Sequence, residues 1–371
     1  MSTDSTSGTR KLAPRRKVPR ATVIDLFCGA GGLTHGFYLE GFRVAAGLDI
    51  DSSCRYAFER NNPRAVFLAK ALEDVSAAEL ETYYPDGHTR VLVGCAPCQP
   101  FSSAATRKAA GEKWRLVETF LERALALDAD VVSMENVLQL KTFGGGEVFS
   151  RFVSALEASG YHVHHQRAYG PDFGLPQERR RLILLASRLG PIALRAPRLG
   201  KTKPTVWSAI GDLPPISAGQ SHPSERLHVA SGLEDINLRR LRATPEGGGR
   251  EAWPEDLVAD CHRRESGGRS PSVYGRMAWN QPAPTITTQF HGLGNGRFGH
   301  PAQNRALSVL EGALLQGFPR GYEFVPPDRP VQIQAVARHI GNAVPVPFAR
   351  AIARTIRLHL KEHDDTIRAR A

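Results

Sequence analysis

The stretch Asp25-Leu-Phe-Cys-Gly-Ala-Gly-Gly-Leu-Thr-His-Gly-Phe37 decides the fold of this chain. Its apolar lead-in, Val23, Ile24 and Leu26, reads as a buried parallel strand. Gly29, Gly31 and Gly32 then form a tight turn where a ligand can lie against bare backbone. Strand, glycine turn and following helix make the first unit of a doubly wound α/β sheet that binds nucleotides. After a second apolar stretch, Val44 to Leu48, the acidic pair Asp49 and Asp51 stands where such folds hold ribose hydroxyls. The glycines do not follow the G-x-G-x-x-G of pyrophosphate binders. That turns the expectation from NAD toward S-adenosylmethionine.

The 371 residues suggest about two domains and suffice to bury a core. No stretch approaches the roughly 18 uninterrupted apolar residues of a membrane span, and the N-terminus lacks the apolar core of a secretory signal. Cys28, Cys54, Cys95, Cys98 and Cys261 are an odd set in a large chain, which favours a reducing compartment over a disulfide framework. The net charge of +11, carried mostly by Arg, fits a polyanionic partner such as nucleic acid.

Residues 1–20 are Ser/Thr-rich and then basic, and read as a disordered tail. From 21 to 190, strand signals at 22–27, 44–49, 91–95, 130–134, 162–167 and 181–187 alternate with helical ones near 31–40, 52–61, 76–83, 112–127 and 146–159. That alternation predicts a mostly parallel sheet covered on both faces. From about 191 helical periodicity fades and Pro, Gly, Ser and Arg become frequent, predicting a second, smaller, loop-rich domain over 191–300. Helix returns at 307–316. The apolar stripe Val346, Phe348, Ala349, Ile352, Ala353, Ile356 and Leu360 then predicts a final helix docked on the sheet.

Three further segments carry chemistry. Val91-Leu-Val-Gly-Cys-Ala-Pro-Cys-Gln-Pro-Phe-Ser102 places Cys98, bracketed by prolines, at the carboxyl end of a strand, where open α/β sheets bind ligands. A cysteine there is a candidate nucleophile. A redox C-x-x-C would instead open a helix, and Cys261-His262 alone supplies no second ligand pair for zinc. Asp130-Val-Val-Ser-Met-Glu-Asn-Val137 delivers Glu135 and Asn136 at another strand end, as a candidate acid or as a satisfied buried pair. Gln177-Glu-Arg-Arg-Arg181 puts Arg179 and Arg181 on one face of an extended chain, able to grip a carbonyl or a phosphate. A solvated basic turn is the plain alternative.

In this order the segments resemble the C5-cytosine-specific DNA methyltransferases of bacterial type. The resemblance covers 21–190 and about 281–361. It rests on Asp25–Phe37, the Pro97-Cys-Gln-Pro-Phe-Ser102 run, Glu135-Asn-Val137, Gln177-x-Arg179-x-Arg181, Leu315-Gln-Gly-Phe-Pro319 and Ile340-Gly-Asn-Ala-Val344. Pro284-Thr-Ile-Thr287 and Arg305-Ala-Leu-Ser308 resemble the segment that precedes the Leu315 motif. The resemblance implies a Rossmann-like S-adenosylmethionine-dependent methyltransferase fold. Its catalytic and cofactor domain would span 21–190, completed by 335–361, with a target-recognition domain at 191–300 and a hinge at 301–334. S-adenosylmethionine would lie on Asp25, Phe27, Gly29, Gly31, Gly32, Asp49, Ile50, Asp74, Pro97, Asn342 and Ala343, with no metal. Cys98 would attack C6 of a cytosine turned out of double-stranded DNA. Glu135 would hold N3 and the exocyclic amine, Arg181 the O2 carbonyl, and Arg179 would support Glu135 or the backbone.

The resemblance further implies a monomer in the bacterial cytoplasm, acting at the nucleoid. Its role would be the modification half of a restriction–modification pair, with any endonuclease encoded nearby but not bound, or that of a solitary methylase. The loop Thr106, Arg107, Lys108, Gly111, Lys113 would close over the flipped base. Trp207, Trp253 and Tyr274 suit groove reading as well as structural roles. Lys113 stands where an Asp usually precedes the loop Arg, His339 replaces the usual Gln before Ile-Gly-Asn, and Asp74 rests on a loose match. A tRNA methyltransferase, a binding module that has lost catalysis and a Rossmann oxidoreductase are the alternatives.

Overall fold

The computed structural model describes residues 20–97, 114–200, 202–263 and 273–364. Cys98, the loop residues Thr106 to Lys113 and the tail before residue 20 lie outside the described residues.

Seven strands form one sheet: β1 Ala21–Leu26, β2 Arg43–Asp49, β3 Val66–Ala69, β4 Thr89–Gly94, β5 Val131–Asn136, β6 His162–Tyr169 and β7 Arg180–Ser187. Their order is β3-β2-β1-β4-β5-β7-β6. The first five run parallel, and β7 pairs antiparallel with both β5 and β6. The mostly parallel α/β sheet expected from the alternation is therefore present. The chain works outward from β1 to β3 and then crosses back to β4. The β1/β4 boundary is thus the switch point at which such sheets bind ligands.

Helices cover both faces: α1 Gly32–Leu39, α2 Arg55–Asn61, α3 Ala77–Glu81, α4 Arg115–Ala126 and α5 Glu147–Ala158. Alternate residues of a strand face opposite sides, and here both sides are dry. Val23, Val44, Val91, Val93 and Ile183 pack with Phe37, Phe348, Ile352 and Ile356 on one face. Ile24, Leu26, Leu92, Val132 and Leu184 pack with Leu80, Phe120 and Phe152 on the other. Each such fully buried side chain contributes about 1.5–3 kcal/mol relative to exposure.

After β7 the chain forms short helices α6 Val206–Ile210, α7 Asp235–Ala243 and α8 Asp260–Arg263. Its excursion has hydrogen-bonded ends: Val206 N–H donates to the Gln281 carbonyl at 2.8 Å and Trp207 N–H to Trp279 at 2.9 Å. Helices α9 Val309–Leu315, α10 Ile333–Asn342 and α11 Val346–Glu362 complete the chain. A capping box of Ser308 and Glu311 starts α9. Pro345 and Pro347 start α11, whose apolar stripe packs as the periodicity predicts. Phe290, Phe298, Phe318, Tyr322, Phe324 and Ile340 form a third core that reaches Ala30 beside the glycine turn.

The crossing of α1 and α11 is backbone-close because α1 has no side chain at Gly36. A Cβ there would overlap the Ala349 Cβ and stand 2.7 Å from the Arg350 nitrogen. We expect Gly36→Ala to lower stability by about 1–3 kcal/mol, read as a lower midpoint in urea. The ~1 kcal/mol gain in helix propensity is outweighed, since the obstruction includes backbone that cannot rotate away. An unchanged or raised midpoint would show that the two helices slide apart freely.

Candidate active site

The turn after β1 departs from ordinary backbone at three positions. Phe27, Gly29 and Gly31 all have positive φ, at 63°, 49° and 90°. The glycines adopt this region readily, whereas Phe27 is held there at a cost of about 1–2 kcal/mol. Asp49, from the end of β2, fastens the turn. Its Oδ2 accepts the Gly29 N–H at 2.8 Å and its Oδ1 accepts the Asp51 N–H at 2.9 Å. Burial raises the Asp49 carboxyl above its ordinary range, partly offset by those amides. Beside it Ile50 projects an apolar side chain that is 75% exposed.

Asp25 is fully buried below the turn and accepts the Thr34 hydroxyl at 2.6 Å. Burial is the main cause that pushes its pKa up to about 7, with the Thr34 hydrogen bonds opposing it. Gly31 lies in the turn and Gly32 opens α1, where a Cβ would collide with the Val344 carbonyl oxygen. The C-terminal segment Ala343–Val344 is therefore laid directly on the first turn. Asn342 is exposed and ends α10. Asp74 is exposed at the end of a short 3₁₀ turn, and Pro97 is half-buried just after β4.

The second group of residues meets at the adjoining strand ends. Glu135 and Asn136 leave β5 almost fully buried. The Arg181 Nε stands 3.2 Å from Glu135 Oε1, and the Cys95 thiol donates to Glu135 Oε2 at 2.9 Å. Asn136 Nδ2 donates to the Ala96 carbonyl at 3.2 Å, tying the segment that leads to Cys98 against β5. Arg179 is buried and donates to the Ile286 carbonyl at 3.1 Å, whereas Arg180 is exposed and stacks on Tyr169. Glu135 and Arg181 are thus brought together, while Arg179 reaches backbone of a distant segment. Cys98 itself lies outside the described residues.

Beneath these groups two fully buried glutamines join four segments. Gln177 donates to the Leu315 carbonyl at 3.0 Å and to Gln316 Oε1 at 2.8 Å, and accepts the Ile286 N–H at 3.0 Å. Gln316 donates in turn to the Ala343 carbonyl at 2.7 Å. Gln177 was visible in the motif, but its partnership with Gln316 and the Cys95 contact were not. A residue's type shows its hydrogen-bonding capacity and not its partner across 139 positions.

Among the described residues Asp51, Cys54 and His339 place ligand atoms within 4.8 Å of one another, the one such group. Asp51 already pairs with Arg338 at 3.0 Å, and His339 Nε2 with the Ser53 hydroxyl at 2.9 Å. Of the aromatics in the second region, Trp207 is 60% exposed. Trp253 is buried, donating to Thr244 Oγ1, and Arg240 lies over both Trp253 and Tyr274. Trp253 is therefore part of a packed cluster and not free to read a groove. No described helix is long and apolar enough to cross a membrane.

A model of the C-5 cytosine-specific DNA methylases matches residues 21–358. The chain is 49% identical to the Type II methylase M.HgiDII of Herpetosiphon aurantiacus over 340 residues, which cover 91% of this chain and 96% of the relative. It is 30% identical to the Type II methyltransferase M1.HphI of Haemophilus parahaemolyticus, over 90% of this chain and 86% of that one. A DNA modification methyltransferase encoded within an E. coli prophage shares the fold, with a TM-score of 0.67 at 21% identity over 92% and 99% of the two chains.

Two outcomes follow from the buried groups. Replacing Gln177 with Leu leaves the Ile286 amide and the Leu315 carbonyl without partners, at about 1–3 kcal/mol for each stranded group. A urea midpoint close to the parent's would contradict the clamp. Asp25 titrates near 7 when folded and near 3.8 when free, so between those values the native state holds the extra proton. Stability should therefore fall as pH rises from about 4 to 7. Asp25→Asn should flatten that fall, gaining on the parent at pH 8 relative to pH 4. Parallel pH–stability curves for the two proteins would refute it.

Proposed function

The chain belongs to the C-5 cytosine-specific DNA methylases, and from that premise we propose that it transfers a methyl group from S-adenosylmethionine to C5 of a cytosine turned out of duplex DNA. The donor set beside β1 suits this cofactor. Asp49 offers a carboxylate for ribose hydroxyls, Ile50 an exposed apolar surface for adenine together with Phe27, and the turn at Gly29, Gly31 and Gly32 bare backbone. Asp25, Asp74, Pro97, Asn342 and Ala343 complete the proposed set. When bound, S-adenosylmethionine supplies an electrophilic methyl group on a sulfonium.

The observation that carries the reading is the meeting of Glu135 and Arg181 at the carboxyl edge of the sheet, beside the strand end that runs through Pro97 into Cys98. Cytosine C5 is too weak a nucleophile to be alkylated unaided, and a thiolate added at C6 makes it a carbon nucleophile. Cys98 is the residue proposed for that bond. Glu135 holds N3 and the exocyclic amine and stabilises charge that develops there. Arg181 orients Glu135 and holds the O2 carbonyl, while Arg179 fixes the Ile286 backbone at the pocket wall. Loss of the C5 proton and of the thiolate then restores the pyrimidine and the enzyme.

The substrate is double-stranded DNA, favoured by the +11 charge. The protein acts as a monomer in the bacterial cytoplasm, either with a cognate endonuclease that it does not bind or alone. Residues 21–190 with 335–361 form the catalytic unit, 191–300 recognise the target, 301–334 connect them, and 1–20 form a basic tail.

Cys98→Ala should reduce methyl transfer by at least about a thousandfold while leaving binding of DNA and of the methyl donor within a few-fold. Duplex DNA with 5-fluorocytosine at the target should form an adduct with the parent that survives denaturation, and none with the variant, because fluorine cannot leave C5 as the proton does. Turnover without the thiol, or no adduct on a verified target, would overturn the mechanism.

A further inference from the structure

We propose that Cys95 is a positioning residue that fixes the carboxylate plane of Glu135. The proposal rests on the catalytic reading of Glu135 given above. The outer torsion of a glutamate side chain, between sp³ and sp² carbons, is broad and nearly unbarriered. A carboxylate held at one oxygen is therefore free to turn about that contact. Among the described residues the Arg181 contact at Oε1 is an ion pair without a hydrogen bond, and the directed bond to the carboxylate is made at Oε2. Arg181 faces Oε1 at 3.2 Å, and the Cys95 thiol donates to Oε2 at 2.9 Å.

The thiol is well placed for this by its backbone. Cys95 follows directly on β4, its N–H donating to the Leu26 carbonyl at 3.3 Å, and Asn136 clasps the next residue, Ala96, at 3.2 Å. The strand end that carries Cys95 is thereby locked in register with the strand end that carries Glu135. The chemistry of sulfur matters as well. A thiol is a weak donor, so it orients the carboxylate without satisfying it fully. A carboxylate oxygen has two lone pairs, so an incoming pyrimidine amine can bond Oε2 while the thiol still donates to it, and Arg181 stays beside Oε1. The bond orders the site before substrate enters and through the reaction.

The test uses the full chain in single-turnover methyl transfer with labelled donor. Cys95→Ala should lower the rate about tenfold, as expected for a group slightly misplaced rather than removed. KM for DNA and for the donor should stay within about twofold of the parent. Cys95→Ser, which restores a donor at nearly the same place, should recover most of the loss. In a Glu135→Gln background the Cys95→Ala change should cost nothing further, because the two residues act as one unit. An equal loss in that background, a serine variant as poor as the alanine one, or an undiminished rate in Cys95→Ala would each overturn the proposal. Full turnover by Glu135→Gln alone would sink the catalytic reading itself, a result that can be told apart from failure of the Cys95 assignment.

Discussion

The contact between α1 and the C-terminal segment is the constraint on which the site depends. Only glycine at positions 32 and 36 lets the last elements of the chain lie against the first, with the Val344 carbonyl and Ala349 in the space where side chains would stand. This sets Ala343 and the Val344 carbonyl against Gly32, at the start of α1 beside the sheet's switch point. The energetic weight is in packing. Phe348, Ile352 and Ile356 of α11 are fully buried against the same sheet face as Phe37 of α1, and burial of that kind outweighs any single hydrogen bond of the glycine turn.

Polar groups within this dry setting are specified by being paired. The buried Arg305–Glu311 ion pair, with both Nη atoms at 2.7 Å from the carboxylate, also receives the Ser308 amide. Arg276 spends its guanidinium on the backbone carbonyls of Leu241, Thr244, His300 and Gln303. Such groups would be costly if left unsatisfied. The part of the chain with the least regular secondary structure is thus held by side chain-to-backbone bonds where the sheet region uses ladders.

Much of the first half was legible because a strand buried on both faces leaves a continuous apolar run, and the ends of those runs carry the polar residues. Val91–Val93 and Val131–Met134 announce β4 and β5, and the Glu135 that follows is where that pattern places it. Strand β3 escaped notice because Val66–Ala69 is four residues long with its first and last residues exposed. Helix α10 escaped because its few apolar positions, Val336, Ala337 and Ile340, run directly into Gly341, Asn342 and Pro345, which are turn-type residues. What no periodicity could show was pairing between distant segments. That Glu135 meets both Arg181 and Cys95, or that Gln177 reaches Gln316, depends on strand order and on the reversal of β7. The aromatics of the second region divided for a similar reason. Trp253 and Trp207 are chemically alike, and only packing separates the buried one from the exposed one.

The excursion between Val206 and Gln281 starts and finishes at the same place, zipped by two backbone hydrogen bonds, and immediately afterwards Ala283 pairs with Pro176 and Glu178 next to the arginines of β7. Between those ends it is also tied to the segment that follows: the Val309 and Leu310 N–H groups donate to the Val229 and Leu227 carbonyls, and Arg276 reaches the His300 and Gln303 carbonyls. Length can change in the stretches between ties at small entropic cost, while the arginines at the base keep their register. A displacement inside the excursion is therefore passed both to the start of β7 and to α9.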